Sequence, residues 1–388
     1  MRRLRQLRQM HPARGVREPG ESPGLTRSGE GDGRGTPETA ATGETPGRRP
    51  APVDPESEDL LALAAIAARS PGPRDRVHDQ TGFTVPTVRD RRDRCPGALR
   101  PWSADDGLLV RLRLIGGHVR SEQLLALSRV AERFGDGRVY VTNRTNLQVR
   151  GLPAAPGESG RLDAEALAAV ESTGLLPTRT HELVRNVMIS PQSGLSGGRA
   201  DLRGVGAQLD RLLRADPALA DLPGRFLFAL DDGRGDLLYR TCDLGLVALD
   251  ASTAQLRVGD GWSREVLLSE AAQVLSRLAS RFLAVRGSGP SAPWHVNELM
   301  ELTALTGQTS QTGQTGLTGG EEFAPPAEPD PRLPEPSAPL AFGDVPGGRH
   351  VAVPESGLDR VSVEALTAGN VYLIVTPWRG VLIPQDAR

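Results

Sequence analysis

The amino-acid sequence predicts an α+β protein built on a ferredoxin-like unit. Between residues 108 and 189, stretches that alternate with the strand period of about two residues are separated by stretches with the helical period of about 3.6 residues. The resulting order of strand, helix, strand, strand, helix and strand is the ferredoxin-like order. A fainter second copy of the hairpin lies near the C-terminus, where residues 371–380 resemble residues 139–144.

The first strand and the first helix are predicted between residues 108 and 135. Apolar and polar residues alternate over residues 108–115, and this strand ends at the pair Gly116-Gly117. A helix follows and ends at Gly135. Its apolar stripe consists of Leu124, Leu127, Ala131 and Phe134.

A hairpin and a second helix follow. Residues 138–142 and 146–150 are the two predicted hairpin strands. Asp163 is expected to cap a short helix that ends at Gly174. Residues 184–189 then provide the last strand that the ferredoxin-like order requires.

The chain continues with a further set of helices and strands. A helix is predicted around residues 205–212, with strands at residues 226–230 and 244–249. The longest helix is expected to begin at Ser263, because apolar residues recur at helical spacing from there to Phe282.

Composition divides the chain into five segments. Residues 1–85 are rich in Gly, Pro, Glu, Arg and Thr without periodicity, which predicts a disordered polar tail. Residues 90–152 form the ferredoxin-like half-domain, and residues 153–300 form the remainder of that α+β domain. Residues 301–339 are a low-complexity linker of Thr-Gly-Gln and then Pro-Glu runs. Residues 340–388 are a truncated second half-domain.

Bulk properties exclude several classes of protein. The net charge is −2 and aromatic residues make up 4%, which argues against a nucleic-acid binder that uses a basic surface and stacking rings. No apolar stretch approaches the ~20 residues that span a bilayer, and the N-terminus does not read as a signal peptide, so a cytoplasmic location is expected. Two cysteines, Cys95 and Cys242, cannot form a disulfide scaffold or a four-thiolate site.

The strand over residues 146–150 carries the first functional signal. Alternation places Asn146, Gln148 and Arg150 on one face of the sheet, while Leu147 and Val149 point to the core. Two amides and a guanidinium on one face suit an anionic or strongly hydrogen-bonding ligand. The alternative is a solvated face of an antiparallel sheet.

Further motifs accompany this strand in a fixed order. They are residues 95–100, 110–114, 142–151, 185–191, 224–236 and 376–381. In order and spacing these motifs resemble the precorrin-3B synthases, the cobalamin-pathway branch of the nitrite/sulfite reductase family. The resemblance extends from about Cys95 to the C-terminus and implies the ferredoxin-like fold of that family, with a truncated second half.

The resemblance also implies a function. Precorrin-3B synthases are oxygen-dependent oxidoreductases that hydroxylate a precorrin macrocycle in cobalamin biosynthesis, so the expected partner is a tetrapyrrole substrate. Its carboxylate arms would each need a cation or strong donors when buried. The candidates for binding these carboxylates are Arg144, Asn146, Gln148, Arg150, Arg185, Arg225, Arg234 and Arg379. No catalytic residue is assigned.

Two departures from the family pattern affect this interpretation. Gly224 and Leu227 stand where sirohaem reductases carry an arginine and a lysine, which argues against nitrite or sulfite reduction because small oxyanions need dense positive charge. The family binds a 4Fe-4S cluster through four cysteines, and these ligands are absent here, so this chain alone is not expected to hold the cluster or another metal.

An alternative of a different class follows from the missing ligands. The chain would then be a catalytically incomplete tetrapyrrole-binding fragment or subunit, with the cluster-bearing half on a separate chain. In that case the expected partner is the cluster-bearing chain or a separate electron donor. A sirohaem nitrite or sulfite reductase is the least favoured interpretation.

Three other features have both a functional and a structural interpretation. The acidic string at residues 231–236 could hold a cation or provide a general base, although Asp and Gly also favour tight turns for local backbone reasons. His181 lies four residues before Arg185 and could belong to the site, and Cys95 could be reactive. A packed interior position is the commoner role for a free cysteine.

Overall fold

Residues 95–299 and 326–385 are described by a computed structural model, and all of them belong to the unit Pro73–Arg388. The predicted tail at residues 1–85 and the linker up to residue 325 lie outside the described residues. Within the described ranges, no helix has the length and apolarity needed to cross a bilayer.

The elements fall into three consecutive groups. The first comprises β1 (Trp102–Ala104), β2 (Gly107–Leu112), β3 (His118–Arg120), α1 (Ser121–Phe134), β4 (Tyr140–Val141), β5 (Leu147–Leu152), β6 (Ala154–Ala155), β7 (Glu158–Leu162) and α2 (Ala164–Ser172). The second comprises β8 (Val187–Ile189), α3 (Arg203–Ala215), a 3-10 helix (Pro217–Asp221), β9 (Phe228–Asp231), β10 (Leu244–Ala248), β11 (Thr253–Val258), β12 (Gly261–Leu267) and α4 (Leu268–Arg286). The third comprises β13 (Gly343–Val345), β14 (Gly348–Ala352), α5 (Arg360–Thr367), β15 (Tyr372–Thr376) and β16 (Gly380–Pro384).

The first and third groups share one topology. Each contains a hairpin, a helix and a second hairpin, and the strand orders β1-β2-β5-β4 and β13-β14-β16-β15 correspond element by element. The helices α1 and α5 pack together, and Leu127 of α1 and Val363 of α5 lie fully buried in one shared hydrophobic core. The α+β fold with a repeated ferredoxin-like half is therefore confirmed. That the second half is truncated stays a prediction.

Strand β3 joins the two halves. It pairs antiparallel with β15, so that Val119 lies opposite Leu373, and it extends the sheet of the third group to five strands. Gly117 has a φ of 75°, and a side chain there would collide with the carbonyl oxygen of Val375. A glycine is therefore required at this close approach between the halves.

The second group forms a separate mixed sheet of order β12-β11-β10-β9-β8, in which β8, β9 and β10 are parallel. Helices α3 and α4 cover its core, where the Phe226 ring contacts Phe228 and Phe282 at centroid distances of 5.2 and 5.1 Å. Burial of all four residues of β9 agrees with a strand covered on both faces.

Two predictions about this region are wrong. Residues 184–189 do not complete the first sheet, because β8 pairs in parallel with β9; its three residues are all buried and lack the alternation of a one-sided strand. The longest helix does not begin at Ser263, which lies in β12, but at Leu268. The turn at Gly259 folds β12 back onto β11, and sheet pairing there overrides the helical spacing.

Residues 326–339, the described part of the predicted linker, run along the mixed sheet with one turn, where the Leu333 amide donates to the Asp330 carbonyl at 2.9 Å. The Ala327 amide donates to the Trp262 carbonyl, and the Ser337 amide donates to the Gly235 carbonyl, both at 3.0 Å. Arg332 forms ion pairs with Asp250 at 3.1 Å and with Glu265 at 2.9 Å. This segment therefore connects the second group to the third by specific contacts.

Candidate functional site

The β4–β5 turn fixes the backbone around Arg144. The Thr142 hydroxyl oxygen accepts hydrogen bonds from the amides of Arg144 at 3.3 Å and Asn146 at 3.1 Å. The Thr142 amide donates to the Asn146 carbonyl at 2.9 Å, which closes the hairpin. Thr145 has a φ of 56°, a left-handed conformation that is uncommon for a β-branched residue. The turn is thus a rigid support for the Arg144 side chain.

The predicted alternation is confirmed over residues 147–150, because Leu147 and Val149 are buried while Gln148 and Arg150 are partly exposed. Asn146, predicted on the polar face, is buried instead. The polar side chains have partners of their own. The Gln148 side-chain Oε1 accepts from Arg111 Nη2 at 3.1 Å, directly across the strand pair. Arg150 Nε forms an ion pair with Asp106 at 3.0 Å.

Asn146 is almost fully buried and ties three elements together. Its Oδ1 accepts from the Leu114 amide at 3.0 Å, and its Nδ2 donates to Asn186 Oδ1 at 3.3 Å. The Asn186 amide group also donates to the Gly224 carbonyl at 2.8 Å. These amides hold the three motif segments next to one another.

Two other guanidinium groups lie within electrostatic range of Arg144 at this turn. Arg144 Nη1 donates to the Arg225 carbonyl at 2.8 Å. Burial lowers the pKa of the Arg144 guanidinium, and the nearby positive charges of Arg225 and Arg111 lower that pKa further. We call Arg111, Arg144 and Arg225 the arginine cluster. An anion placed here would relieve both the desolvation and the repulsion.

Asp243 provides a fixed negative charge near Arg144. The carboxylate is buried and accepts from the amides of Leu227 at 2.8 Å and Val296 at 3.1 Å. Burial raises the pKa of Asp243, and His295 lies 3.7 Å from the carboxylate. The negative charge of Asp243 raises the pKa of Arg144 and so opposes the effect of burial on that guanidinium.

Cys95 lies on a loop that the fold also holds in place. The Cys95 thiol lies within electrostatic range of Arg144. Glu182 accepts from the amides of Ala98 at 2.5 Å and Leu99 at 3.0 Å, and Arg113 Nη1 donates to the Pro96 carbonyl at 3.1 Å. The arrangement puts a partly buried thiol in electropositive surroundings.

Arg185 belongs to a different network from Arg144. Its Nε donates to Asp210 Oδ1 at 2.6 Å in a buried ion pair, and its Nη1 donates to the Arg113 carbonyl at 3.4 Å. Asp210 also pairs with Arg214 at 3.0 Å. The two motif segments are adjacent through Asn146 and Asn186, but the guanidinium of Arg185 already has a carboxylate partner.

The acidic string at residues 231–236 forms a tight turn. Asp231 accepts from the amides of Gly233, Gly235 and Leu237, each at 2.9 Å. Arg234 binds Asp232 through two hydrogen bonds of 2.8 Å. These contacts support the turn interpretation, and no group of His, Cys, Asp and Glu in the described part of the chain is arranged to hold a metal ion.

Asp236 is the unusual member of this turn. Burial, together with the charge of Asp231, raises the pKa of the Asp236 carboxyl to about 8. The Ser190 hydroxyl donates to its Oδ1 at 2.6 Å. Arg234 donates to the Gln192 side chain at 2.8 Å, so its guanidinium contributes to the same internal network.

Arg379 lies in the β15–β16 turn with a φ of 55°. Its guanidinium is 3.7 Å from Glu355, and its carbonyl accepts from the Val353 amide at 3.0 Å. The neighbouring Trp378 indole donates to the Tyr239 hydroxyl at 2.6 Å. The structure therefore places Arg379 in the second hairpin turn, with a carboxylate partner separate from the arginine cluster.

His181 and Cys242 are both packed in the protein interior. His181 is buried, and its Nε2 lies 2.9 Å from the Asp216 carbonyl oxygen. Burial raises the pKa of the Cys242 thiol to about 11, which describes an inert packed cysteine.

Sequence reasoning missed Arg111 and Asp243. Arg111 could have been found from the alternation of β2, whereas Asp243 has no local signal.

Parts of the chain are similar to known proteins. Residues 103–156 match the nitrite/sulfite reductase ferredoxin-like half domain. A precorrin-3B synthase from Sinorhizobium sp is 46% identical over 75 residues, which are 19% of this chain and 16% of that protein. A ferredoxin–nitrite reductase from Leptolyngbya laminosa is 30% identical over 161 residues, which are 39% of this chain and 30% of that protein.

The fold has a solved counterpart. The structure of the Mycobacterium tuberculosis NirA protein superposes with a TM-score of 0.50 at 16% identity, covering 75% of this chain and 60% of that chain. At this identity the similarity concerns the fold. The chain spans at most 30% of the length of the two curated relatives described here. These comparisons confirm the resemblance drawn from the motifs: the chain carries a nitrite/sulfite reductase ferredoxin-like half domain and is similar to oxidoreductases of that family.

Proposed function

We propose that the chain binds a polycarboxylate tetrapyrrole at the arginine cluster and serves in the oxygen-dependent hydroxylation of a precorrin. The observation that carries this proposal is the gathering of Arg111, Arg144 and Arg225 beside a rigid turn. Guanidinium groups suit carboxylates because they donate two parallel hydrogen bonds in a fixed plane.

The electrostatics favour an anionic ligand at this position. Repulsion between neighbouring guanidinium groups and partial burial both make the cationic form of Arg144 less favourable in the free protein. A bound carboxylate would offset each of these effects. Asn146 is unlike the arginines, because its hydrogen bonds are used inside the protein, and we propose that it positions the turn.

Residues just before β9 favour a macrocycle over a small oxyanion. Leu227 is buried in an apolar cluster with Met188 and Leu237, and Gly224 has no side chain. The reduction of nitrite or sulfite requires compact positive charge around a small anion. Arg225 alone supplies such charge in this segment. Nitrite reduction remains the second candidate because the chain aligns with nitrite reductases over a longer stretch than with the precorrin-3B synthase.

The residues present do not fit an iron–sulfur cluster. A 4Fe-4S cluster requires four cysteine thiolates, and this sequence holds Cys95 and Cys242 only. Cys242 is fully buried with a raised thiol pKa, which opposes metal ligation. We therefore propose that electrons come from a separate chain or donor. If no such partner acts, the chain is a tetrapyrrole-binding subunit without activity of its own.

Fluorescence titration with uroporphyrin III, a stable macrocycle with acetate and propionate arms, tests the binding site. Arg144→Gln should weaken binding about tenfold or more, because a charge-assisted hydrogen bond contributes about 1.5–3 kcal/mol and about 1.4 kcal/mol corresponds to tenfold. Arg161→Gln, which removes an exposed arginine of β7, is the matched control and should leave affinity unchanged. Equal affinities for all three proteins would refute the proposed site.

The reaction is tested separately from binding. The purified chain, supplied with a precorrin, oxygen and a reducing system of ferredoxin and its reductase, should give a hydroxylated macrocycle detected by mass spectrometry. Binding without any product under these conditions would favour the incomplete-subunit alternative. Reduction of nitrite under the same conditions, blocked by uroporphyrin, would instead support the second candidate.

A further inference from the structure

A pocket of about 650 Å³ lies between α3 and the paired strands β3 and β15. Its lining combines side chains of three kinds: apolar residues on one wall, arginines with one aspartate on another, and two rings. The lining residues are Ile115, His118, Ile189, Arg203, Ala207, Asp210, Arg211, Arg214 and Tyr372. Its volume falls in the range of about 300–1,000 Å³ that is usual for small-molecule sites. It shares no residue with the arginine cluster.

One face of α3 is directed to this pocket. Arg203, Ala207, Asp210, Arg211 and Arg214 follow the helical repeat and form a single stripe. The opposite stripe packs into the core of the mixed sheet and consists of Val205, Leu209 and Leu213. The apolar stripe is the part of α3 that packs against the mixed sheet. This packing does not require arginines on the opposite stripe, where three of them lie together.

The pocket has an excess of positive charge. Asp210 is shared by Arg185 and Arg214, and Asp201 pairs with Arg203 at 2.7 Å. Arg211 is exposed and forms no ion pair with any residue that the structure describes. The pocket lining itself holds three guanidinium groups and one carboxylate, an excess of two positive charges. This excess matches a phosphate monoester dianion.

Two stacked rings line one wall of the pocket. His118 and Tyr372 lie on paired strands and are stacked, with centroids 5.6 Å apart and planes 25° apart. Burial, together with the charge of Arg203, lowers the pKa of His118 to about 4, so its ring is neutral near pH 7. Ile115 and Ile189 provide apolar surface next to these rings. Such a wall suits the face of another flat ring.

We propose that this pocket binds a phosphate monoester of a flat aromatic ring, such as a nucleoside 5′-phosphate or a flavin mononucleotide. The phosphate contacts Arg211 and Arg214, and the ring packs on the wall formed by His118 and Tyr372. The site is independent of the tetrapyrrole site, so either can exist without the other.

Isothermal titration of the full-length chain with flavin mononucleotide, adenosine 5′-monophosphate, adenosine and inorganic phosphate tests this proposal. At least one of the two phosphorylated ring compounds should bind about tenfold or more tightly than adenosine and inorganic phosphate, because both halves of the ligand are recognised. If neither binds, or if inorganic phosphate alone binds as tightly, the proposal is wrong.

Variants assign the binding to this pocket. Arg211→Gln should weaken binding of the phosphorylated ring compound about tenfold while leaving the thermal unfolding temperature unchanged, because the side chain is exposed and makes no ion pair with described residues. Arg277→Gln, which removes an exposed arginine of α4, is the matched control and should have no effect. Tyr372→Leu should weaken binding of the ring compounds without changing the weak affinity for inorganic phosphate. An unchanged affinity in Arg211→Gln would overturn the assignment.

Discussion

Thr145 and Arg379 are the two non-glycine residues with left-handed φ angles in the described part of the chain, and they occupy equivalent hairpin turns. Thr145 lies between β4 and β5 with a φ of 56°, and Arg379 lies between β15 and β16 with a φ of 55°. The two halves therefore repeat a strained turn as well as a strand order. Backbone strain of this kind is concentrated at functional sites.

The Thr145 hydroxyl should not contribute to stability in the free protein. Its Oγ1 is buried and has no hydrogen-bond partner, whereas the Thr142 Oγ1 accepts from two amides. Thr145→Val should therefore leave the free energy of unfolding unchanged or raise it by about 1 kcal/mol, while Thr142→Val should lower it by about 1–2 kcal/mol. Urea unfolding of both variants checks this difference. Equal destabilisation by the two substitutions would contradict it.

Asp236 should make the protein less stable as pH rises. Its folded pKa is raised to about 8 from 3.8, so the folded state binds more protons than the unfolded state between these values. Its contribution to stability is thus present at acidic pH and lost as pH rises through the folded pKa. Asp236→Asn keeps an oxygen acceptor for Ser190 and should flatten this decline between pH 5 and 9, measured by chemical denaturation. The same slope in both proteins would exclude Asp236 as its source.

His118 should have an effect of the opposite sign. Its folded pKa is lowered to about 4 from 6.5, so the unfolded state binds more protons in this window and stability falls as pH decreases from 6.5 to 4. A shift of this size corresponds to about 3 kcal/mol. His118→Phe preserves the ring stack and should lose this acid sensitivity relative to the wild type. A variant that loses stability between pH 6.5 and 4 just as the wild type does would contradict the prediction.

Arg185 should be needed for stability more than for binding. Removing it leaves Asp210 buried with Arg214 as its remaining partner, and breaking a buried ion pair costs about 3–5 kcal/mol when no other partner is present. Arg185→Met should therefore lower the free energy of unfolding by about 2 kcal/mol or more. Its affinity for uroporphyrin III, measured on the folded fraction, should change less than that of Arg144→Gln. A larger loss of affinity in Arg185→Met would reverse these roles.

The sequence predicted features that depend on local pattern. The alternation of Leu147, Gln148 and Val149 and the cap at Asp163, whose side chain accepts from the Glu165 and Ala166 amides, follow from neighbouring residues alone. The ionic partners of the candidate residues do not follow from neighbouring residues in the sequence. Arg185 pairs with Asp210, which is 25 residues away. Such partners are set by the packing of α3 against β8.

Strand pairing also limited the prediction of the fold. The motif order identified the repeated half, but periodicity cannot tell a strand that closes one sheet from a strand that opens the next. Strand β8 belongs to the mixed sheet because it pairs in parallel with β9. It is joined to the segment after β2 by a hydrogen bond from the Gly116 amide to the Val187 carbonyl, at 2.7 Å. Strand pairing also explains why Arg111 was missed. The register of β2 and β5 places Arg111 opposite Gln148, and that register cannot be read from periodicity.

The structure of the full-length chain bound to uroporphyrin III tests the central claim most directly. The decisive measurement is the distance from the Arg144 guanidinium nitrogens to the nearest carboxylate oxygen of the macrocycle. We expect a hydrogen bond of about 2.7–2.9 Å, with Arg225 or Arg111 contacting the same or a neighbouring carboxylate. A macrocycle bound elsewhere, with no carboxylate in hydrogen-bond reach of Arg144, would contradict the proposed site.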